Sequence, residues 1–482
     1  MFGINEFAAS FPNGIIGIIT LLVIFNIGKK YFDEKFGIIW VLAYIGSFLP
    51  HFYFKTGIID PTFNLFMFLG MYYLAELSYK QRFTPTLNIN KELLLAGFMT
   101  SMAVLTKGPV GYLLVFLTWM AFWFLNRKKM NFPIKELIIF SVIAALPIII
   151  WYIAILSQSG TGIISEFIMY QIRLLTTGDA GHEGPIYYHL IPLLIGCFPA
   201  SILVFRAFRK QADDGDRQNA FRIWNLILLA VVLIIFSIVK TKILHYSSLA
   251  YFPITFLAAY TMYKVVYRSL NWKISSTILI WIFGGILSIG LTAFPIVLMN
   301  IKLFLPKITD KFTNALMQTP VEWLGFEQIT GAILFFALIF FSIFIYKRKY
   351  LNAFISLFAG SYLTIMLFLP LMTPKIELYL QNEPINFYKK FIGKDVYVHN
   401  IGFKSYAPYF YSQKPLELSK YYLKMNGKDF ENWLLTGNID KDAHFVARIN
   451  NYEEFMQKGK DIQLISIRNG YAFLKRNKVL TQ

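Results

Sequence analysis

The sequence predicts an all-α polytopic membrane protein of about twelve spans, closed by a small α+β domain outside the bilayer. Three observations carry that prediction: 56% of the residues are apolar, only 15% are charged, and the charges fall in short clusters between long apolar runs. A soluble domain carries charge on roughly a quarter of its residues. The 46 Lys and Arg against 27 Asp and Glu, a net charge of +19, would suit nucleic acid if they clustered on a folded surface. Spread between apolar runs, they indicate a lipid bilayer and no nucleic-acid partner. The single cysteine, Cys197, lies inside an apolar run, which excludes a disulfide framework and a cysteine-based metal site.

A spanning helix needs about 20 mostly apolar residues, because lipid offers no partner to a free backbone amide. The candidates are 11–28, 37–54, 61–78, 92–106, 109–125, 137–156, 188–205, 223–239, 244–263, 274–298, 329–346 and 351–371. Residues 93–125 are apolar except for Lys107 and would serve as one long helix or two short ones. Charge favours two. A double pass puts the loop with Lys80, Arg82 and Lys91 on the same side as the loop with Arg127, Lys128, Lys129 and Lys135, as the positive-inside rule prefers. The two passes are then expected to meet at an outer turn, Thr106-Lys107-Gly108-Pro109. Loops on the Lys80 side carry more than twice the Lys and Arg of the opposite loops up to residue 371, so that side is cytoplasmic and both chain ends lie outside. Met1 is not followed by a basic and apolar leader, which leads to the expectation of a further span ahead of residue 1.

Residues 1–371 thus form the membrane domain. In residues 372–482 charges of both signs return and no run is long enough to span. Alternating or β-branched runs at 395–399, 444–449, 462–467 and 471–474 read as strands, and 403–411, 429–435 and 452–458 as helices.

The polar residues assigned to the outer face carry the candidate chemistry. Asp60 precedes Pro61 at a helix start, where N-capping alone would place a carboxylate. Lys107 either snorkels or pairs with an anion, and the Gly-Pro-Val-Gly turn after it lets backbone approach a ligand closely. Lys240 and Lys242 flank Thr241, with His245 and Tyr246 just beyond. Interfacial anchoring accounts for one such lysine more readily than for two beside a histidine. The outer loop 157–187 holds an amphipathic stretch, 163–175, with Arg173, and then a glycine-rich turn with His182 and Glu183 leading to Tyr187, Tyr188 and His189. A surface turn with an aromatic belt would share that pattern. His182, Glu183 and Asp60 could ligate a divalent cation, although no His pair has a recognised metal spacing; no other cofactor is indicated. Lys107, Arg173, Lys240 and Lys242 come from three loops on the side otherwise poor in positive charge. A shared anion explains them most simply, and phosphate is the natural one. Asp60 among them suits a general base, or a reaction in which positive charge develops on a sugar.

Five blocks stand in order along the chain: Asn5-Glu6-Phe7-Ala8-Ala9-Ser10-Phe11-Pro12; Ile59-Asp60-Pro61; Leu105-Thr106-Lys107-Gly108-Pro109; Gln171-Ile172-Arg173 followed by His182-Glu183-Gly184-Pro185-Ile186-Tyr187-Tyr188; and Lys240-Thr241-Lys242-Ile243-Leu244-His245-Tyr246. In order, spacing and sidedness they resemble the GT-C type of membrane glycosyltransferase, in particular the aminoarabinose lipid A transferase and bacterial protein-mannosyltransferase-like enzymes, over almost the whole chain. The resemblance implies the GT-C fold in a bacterial inner membrane, with the C-terminal domain periplasmic. It implies a polyprenyl-phosphate-linked sugar as donor and lipid A, an envelope glycan or a protein as acceptor. On it, Asp60 matches the family's second acidic position and is the catalytic candidate, and Lys107 matches the lysine of its Thr-Lys-Gly turn. Arg173, Lys240 and Lys242 match positions near the lipid phosphate, and His182, Glu183, Tyr187, His245 and Tyr246 fall in the substrate pocket. Family members also carry a first span and a long outer loop with an Asp-Glu pair and a Glu-Lys-Pro, and this chain begins after them. A truncated, non-catalytic remnant is therefore one alternative. An anionic-lipid transporter or flippase is the other, although transporters place their ionisable residues near the midplane and here they lie at span ends.

Overall fold

The computed structural model describes residues 2–83, 90–128, 130–159, 162–177, 184–209, 213–268, 270–420 and 422–479. The chain forms two compact units, one of Asn5–Ile289 with Gly331–Ile365 and one of Gly290–Thr330 with Met366–Gln482 and Met1–Ile4.

The first unit is helical. It contains α1 (Glu6–Tyr31), α2 (Glu34–Ile45), α3 (Phe48–Tyr53), α4 (Asp60–Phe83), α5 (Asn90–Lys107), α6 (Val110–Asn126), α7 (Ile134–Ser159), α8 (Gly162–Thr176), α9 (Leu190–Gly196), α10 (Ala200–Val204), α11 (Asp216–Ile238), the 3₁₀ segment Leu244–Ala250 and α12 (Tyr251–Tyr267). The unit takes in most of α13 (Ile274–Met299) and α15 (Ile329–Tyr346) and the first half of α16 (Tyr350–Leu380). All twelve apolar runs are helical. Among the described residues, seven helical segments are long and apolar enough to cross a bilayer, and the bent α9–α10 pair makes an eighth if it counts as one span. The molecule is a multi-pass membrane protein.

Two expected spans are not continuous. Residues 37–54 break between α2 and α3 at Gly46-Ser47; a Cβ on Gly46 would stand 2.6 Å from the Phe358 carbonyl oxygen, so a neighbouring helix wedges against the break. Residues 188–205 bend by 106° between α9 and α10, where Pro199 has no N–H to continue the ladder.

Helix α12 is buried on nearly all sides and organises an aromatic core. Phe252 stacks on Phe68 at 4.3 Å, Phe256 meets Trp40 edge-on at 5.0 Å, and the Trp40 indole donates to Thr255 at 3.1 Å. By contrast α7 and α13 expose most of their isoleucines, as helices facing lipid do. Helix α4 is polar at both ends. Asp60 opens it; sixteen residues on, about 24 Å at the helical rise, the buried Glu76 carboxylate accepts from Lys30 at 2.8 Å and from Arg217 at 2.8 and 2.9 Å.

In the second unit lie α14 (Lys311–Met317), the end of α16, α17 (Asn382–Lys389), α18 (Ala407–Tyr411), α19 (Gly427–Thr436) and α20 (Tyr452–Lys458). Its sheet holds β1 (Tyr397–Asn400), β2 (Ala443–Arg448), β3 (Ile462–Arg468) and β4 (Tyr471–Arg476) in the order β1-β2-β4-β3, with β1 parallel to β2 and the other pairs antiparallel. Alternation along the strands builds two cores. Ala443, Phe445, Ala472 and Leu474 pack with Phe430, Leu434 and Leu435 of α19. Val446 and Phe473 face the other way, against Phe387, Tyr388 and Leu316. All four expected strands and the three expected helices of this region are present. The last span's helix runs on to Leu380, and α17 follows where no element was expected.

Candidate active site

The site is built on the start of α4 and the turn between α5 and α6. Two short helices do meet there, at Gly108, whose φ of +113° ends α5 after Lys107. Its amide bonds back to the Val104 carbonyl at 2.7 Å, and its own carbonyl accepts from Gly111 at 3.1 Å. Helix α8 lies directly over this turn: a Cβ on Gly108 would meet the Phe167 ring at 3.1 Å and the Gln171 amide at 3.4 Å. Glycine is required twice, for its backbone angle and for its missing side chain.

At the turn the Lys107 ammonium donates to the Asp60 carboxylate. Asp60 is only 4% exposed, so the charge on each partner answers the desolvation of the other. The Lys107 nitrogen also lies 5.1 Å from the centre of the Tyr246 ring and 6.0 Å from that of Phe63. These residues line a cavity of about 800 Å³, walled by Phe63, Met67 and Asn64 of α4, Trp151, Tyr152 and Ile155 of α7, Ile163, Phe167, Tyr170 and Gln171 of α8, and Phe236 of α11. Among its described lining residues Asp60 and Lys107 are the only charges.

A buried hydrogen-bonded group lies under this pair. Asn64, one turn along α4 from Asp60, donates to the Tyr53 hydroxyl at 3.1 Å and to Ser248 Oγ at 2.8 Å. The Tyr53 and Ser248 hydroxyls are 2.7 Å apart, and Ser248 donates to the His245 carbonyl. The network ties the 3₁₀ segment that carries Tyr246 to α3 and α4.

The other residues expected from the sequence are placed differently. Arg173 sits on the exposed side of α8, its guanidinium 5.2 Å from the Tyr170 ring, so it adjoins the cavity through a wall residue without lining it. Lys240 is exposed in the turn after α11. Lys242 is buried and donates to the Phe236 and Ser237 carbonyls at 2.9 and 2.7 Å. It sits where a cation satisfies the last carbonyls of a helix and its negative dipole end, and it is not among the cavity-lining residues. The structure therefore gathers Asp60, Lys107 and Tyr246 at one cavity and leaves Arg173, Lys240 and Lys242 around it. His245 turns its ring to that of Tyr246, with 5.4 Å between centres, and Tyr187 is exposed. His182 and Glu183 lie outside the described residues. Among the described residues no group of three His, Cys, Asp or Glu is arranged to hold a metal ion. Gln171, Asn64 and Ser248 join the site without a sequence signal of their own: Gln171 stands two residues before Arg173, and one Asn or a Ser pair within apolar runs has no diagnostic spacing.

Residues 1–151 match the family model described as dolichyl-phosphate-mannose-protein mannosyltransferase. An uncharacterised protein of Aquifex aeolicus is 26% identical over 322 residues, 65% of this chain and 67% of that one. The undecaprenyl phosphate-alpha-4-amino-4-deoxy-L-arabinose arabinosyl transferase of Pectobacterium atrosepticum is 23% identical over 304 residues, 61% of this chain and 52% of the relative. The match thus spans about half the length of that arabinosyl transferase. The crystal structure of ArnT from Cupriavidus metallidurans bound to undecaprenyl phosphate superposes with a TM-score of 0.72 at 14% identity, covering 98% of this chain and 85% of that one. The class is therefore defined: a multi-pass membrane protein with the GT-C fold. Within that class, its likenesses run to the aminoarabinose transferase type, as the five blocks implied.

Proposed function

We propose that the chain transfers a sugar from a polyprenyl-phosphate-linked donor to a lipid A, envelope glycan or protein acceptor, at the periplasmic face of a bacterial inner membrane. Residues 372–482 would then lie in the periplasm. The observation that carries this reading is an ion pair, Asp60 with Lys107, on the wall of a mostly apolar cavity of about 800 Å³. Apolar walls suit a lipid-borne substrate, and the ammonium and the carboxylate suit the two charges that such a reaction develops.

In the proposed step the bond between the anomeric carbon and the phosphate oxygen breaks while the acceptor oxygen bonds to that carbon from the opposite side, inverting it. Lys107 leaves Asp60 for the donor phosphate and offsets the charge growing on the leaving group, an effect enlarged where water is excluded. Asp60, released, takes the proton of the acceptor hydroxyl while facing the developing oxocarbenium. Arg173 and Lys240 add positive potential around the phosphate, Arg173 from the helix that walls the cavity, while Lys242 stays with the carbonyls that end α11. Phe167 and Tyr170 keep water from the reacting carbon.

The test is transfer by the complete chain in proteoliposomes supplied with a polyprenyl-phosphate sugar. Lys107→Ala and Asp60→Asn are each expected to lower the rate about 10²-fold or more. Transfer unchanged in both variants would overturn the reading.

A further inference from the structure

A second cavity, of about 610 Å³, lies within the other compact unit, between the end of α13, the loop leading to α15 and the end of α16. A space of this size holds a drug-sized ligand, or the headgroup and first chain segment of a lipid. Leu298, Leu305 and Val321 supply apolar wall, and Lys302 is the one charge among the described residues lining it. Two nearby acids, Glu327 and Asp310, are already engaged, and Glu322, between the lining residues Val321 and Trp323, is exposed. Glu327 binds the Lys375 ammonium and the Leu324 and Gly325 amides, and Asp310 caps α14 through Thr313 and accepts from Asn450. The Trp323 indole donates to the Tyr379 hydroxyl at 3.1 Å, which leaves that hydroxyl's own proton for another acceptor. The Thr319 hydroxyl, also in the lining, is buried without a hydrogen-bond partner.

Helix length sets the depth. Helix α16 has 31 residues, about 46 Å at 1.5 Å per residue, close to the roughly 40–45 Å of a bilayer with its headgroups. Its first turn follows Lys347, Arg348 and Lys349, so its last turn, with Tyr379, reaches the opposite headgroup layer. Leu303 and Leu324 beside the cavity are 73% and 67% exposed, as residues dipping into acyl chains would be. One cation, a phenol and an indole at headgroup depth, above apolar walls, complement a lipid with a negative phosphate and no cationic headgroup.

We propose that this cavity binds an anionic phospholipid of the surrounding bilayer, its phosphate on Lys302 and Tyr379 and one acyl chain against Leu298, Leu305 and Val321. The site is independent of the transferase reading, since it uses none of the residues around Asp60.

The test is native mass spectrometry of the full chain in detergent with phosphatidylglycerol or phosphatidylcholine of identical acyl chains. The wild type is expected to retain phosphatidylglycerol about tenfold better, the equivalent of one decade in Kd. Lys302→Gln should abolish that preference, and Val321→Trp, which fills the apolar wall, should lower retention of both lipids. Thermal unfolding of each variant alongside separates site loss from misfolding. Equal retention of the two lipids by the wild type, or a preference surviving Lys302→Gln, overturns the proposal. So does displacement of the bound lipid by inorganic phosphate, which would mark a simple anion site, or preferential capture of polyprenyl phosphate.

Discussion

Ser248 shows how much of the candidate site depends on one hydroxyl. It accepts from Asn64, pairs with Tyr53 and donates to the His245 carbonyl, all in a setting where Ser248 itself is 1% exposed. Ser248→Ala leaves buried donors without their acceptor, a loss of about 1–3 kcal/mol. Because the network fixes the segment carrying Tyr246, the variant is expected to raise the KM for the donor more than it lowers kcat. A lower thermal midpoint with KM unmoved would reduce the network to a purely structural role. Gly108 concentrates a different constraint at one position: its positive φ places Lys107 at the end of α5, and its missing Cβ admits Phe167.

At the scale of elements, α11 decides what Lys242 can do. Its ammonium closes the helix by taking the Phe236 and Ser237 carbonyls. Lys242→Met should therefore lower the thermal midpoint of the chain in detergent, by about 1–2 kcal/mol of helix-end stabilisation, with the donor KM unchanged. A raised KM at unchanged midpoint would return Lys242 to the phosphate. The C-terminal sheet carries its own titration. Burial first, then the charges of Lys414 and Lys420, hold His399 down at about 3. Burial and the Lys475 charge hold His444 at about 4. Both are neutral in the folded sheet and gain a proton more readily when unfolded, near pH 6.5. Their contribution to stability is whole above that pH and falls away as pH drops through 6.5 toward 3. Hydrogen exchange of the peptides spanning β1 and β2, corrected for intrinsic rate, should show less protection at pH 5 than at pH 7.5. Equal protection would mean that these half-buried imidazoles do not couple to folding.

For the molecule as a whole, sidedness is the property to establish next, and the single native cysteine makes it accessible. Cys197 is fully buried, so it gives little background to an impermeant maleimide. In whole cells Leu416→Cys, at an exposed position of the C-terminal unit, is expected to label from outside. Lys349→Cys, between α15 and α16, should label only after the inner membrane is opened. The reverse pattern would invert the topology drawn from the basic loops and move Asp60 and Lys107 to the cytoplasmic side.

The sequence alone determined that the twelve apolar runs are helical, that α5 and α6 are separate helices, and where the four strands fall, because each follows from a local pattern: an apolar run, a charge cluster, an alternation; the short polar helices α14 and α17 carry no such signal. It also singled out Lys107, since a charge inside an apolar run is conspicuous and costly, and Asp60, a carboxylate before Pro61 at a helix start. Only the tertiary structure decided which way each helix faces. Helices such as α7, apolar on every side, carry no stripe to show that Ile148, Tyr152 and Ile155 turn to the cavity while Ile149, Ile150 and Ile153 are exposed. It also decided between two uses of a cation: Lys107 meets a carboxylate brought to it by another helix, whereas Lys242 is met first by the carbonyls at the end of its own neighbouring helix. Residue type supplies the charge, but the nearest buried acceptor determines what that charge does, and chain topology sets which acceptor is nearest.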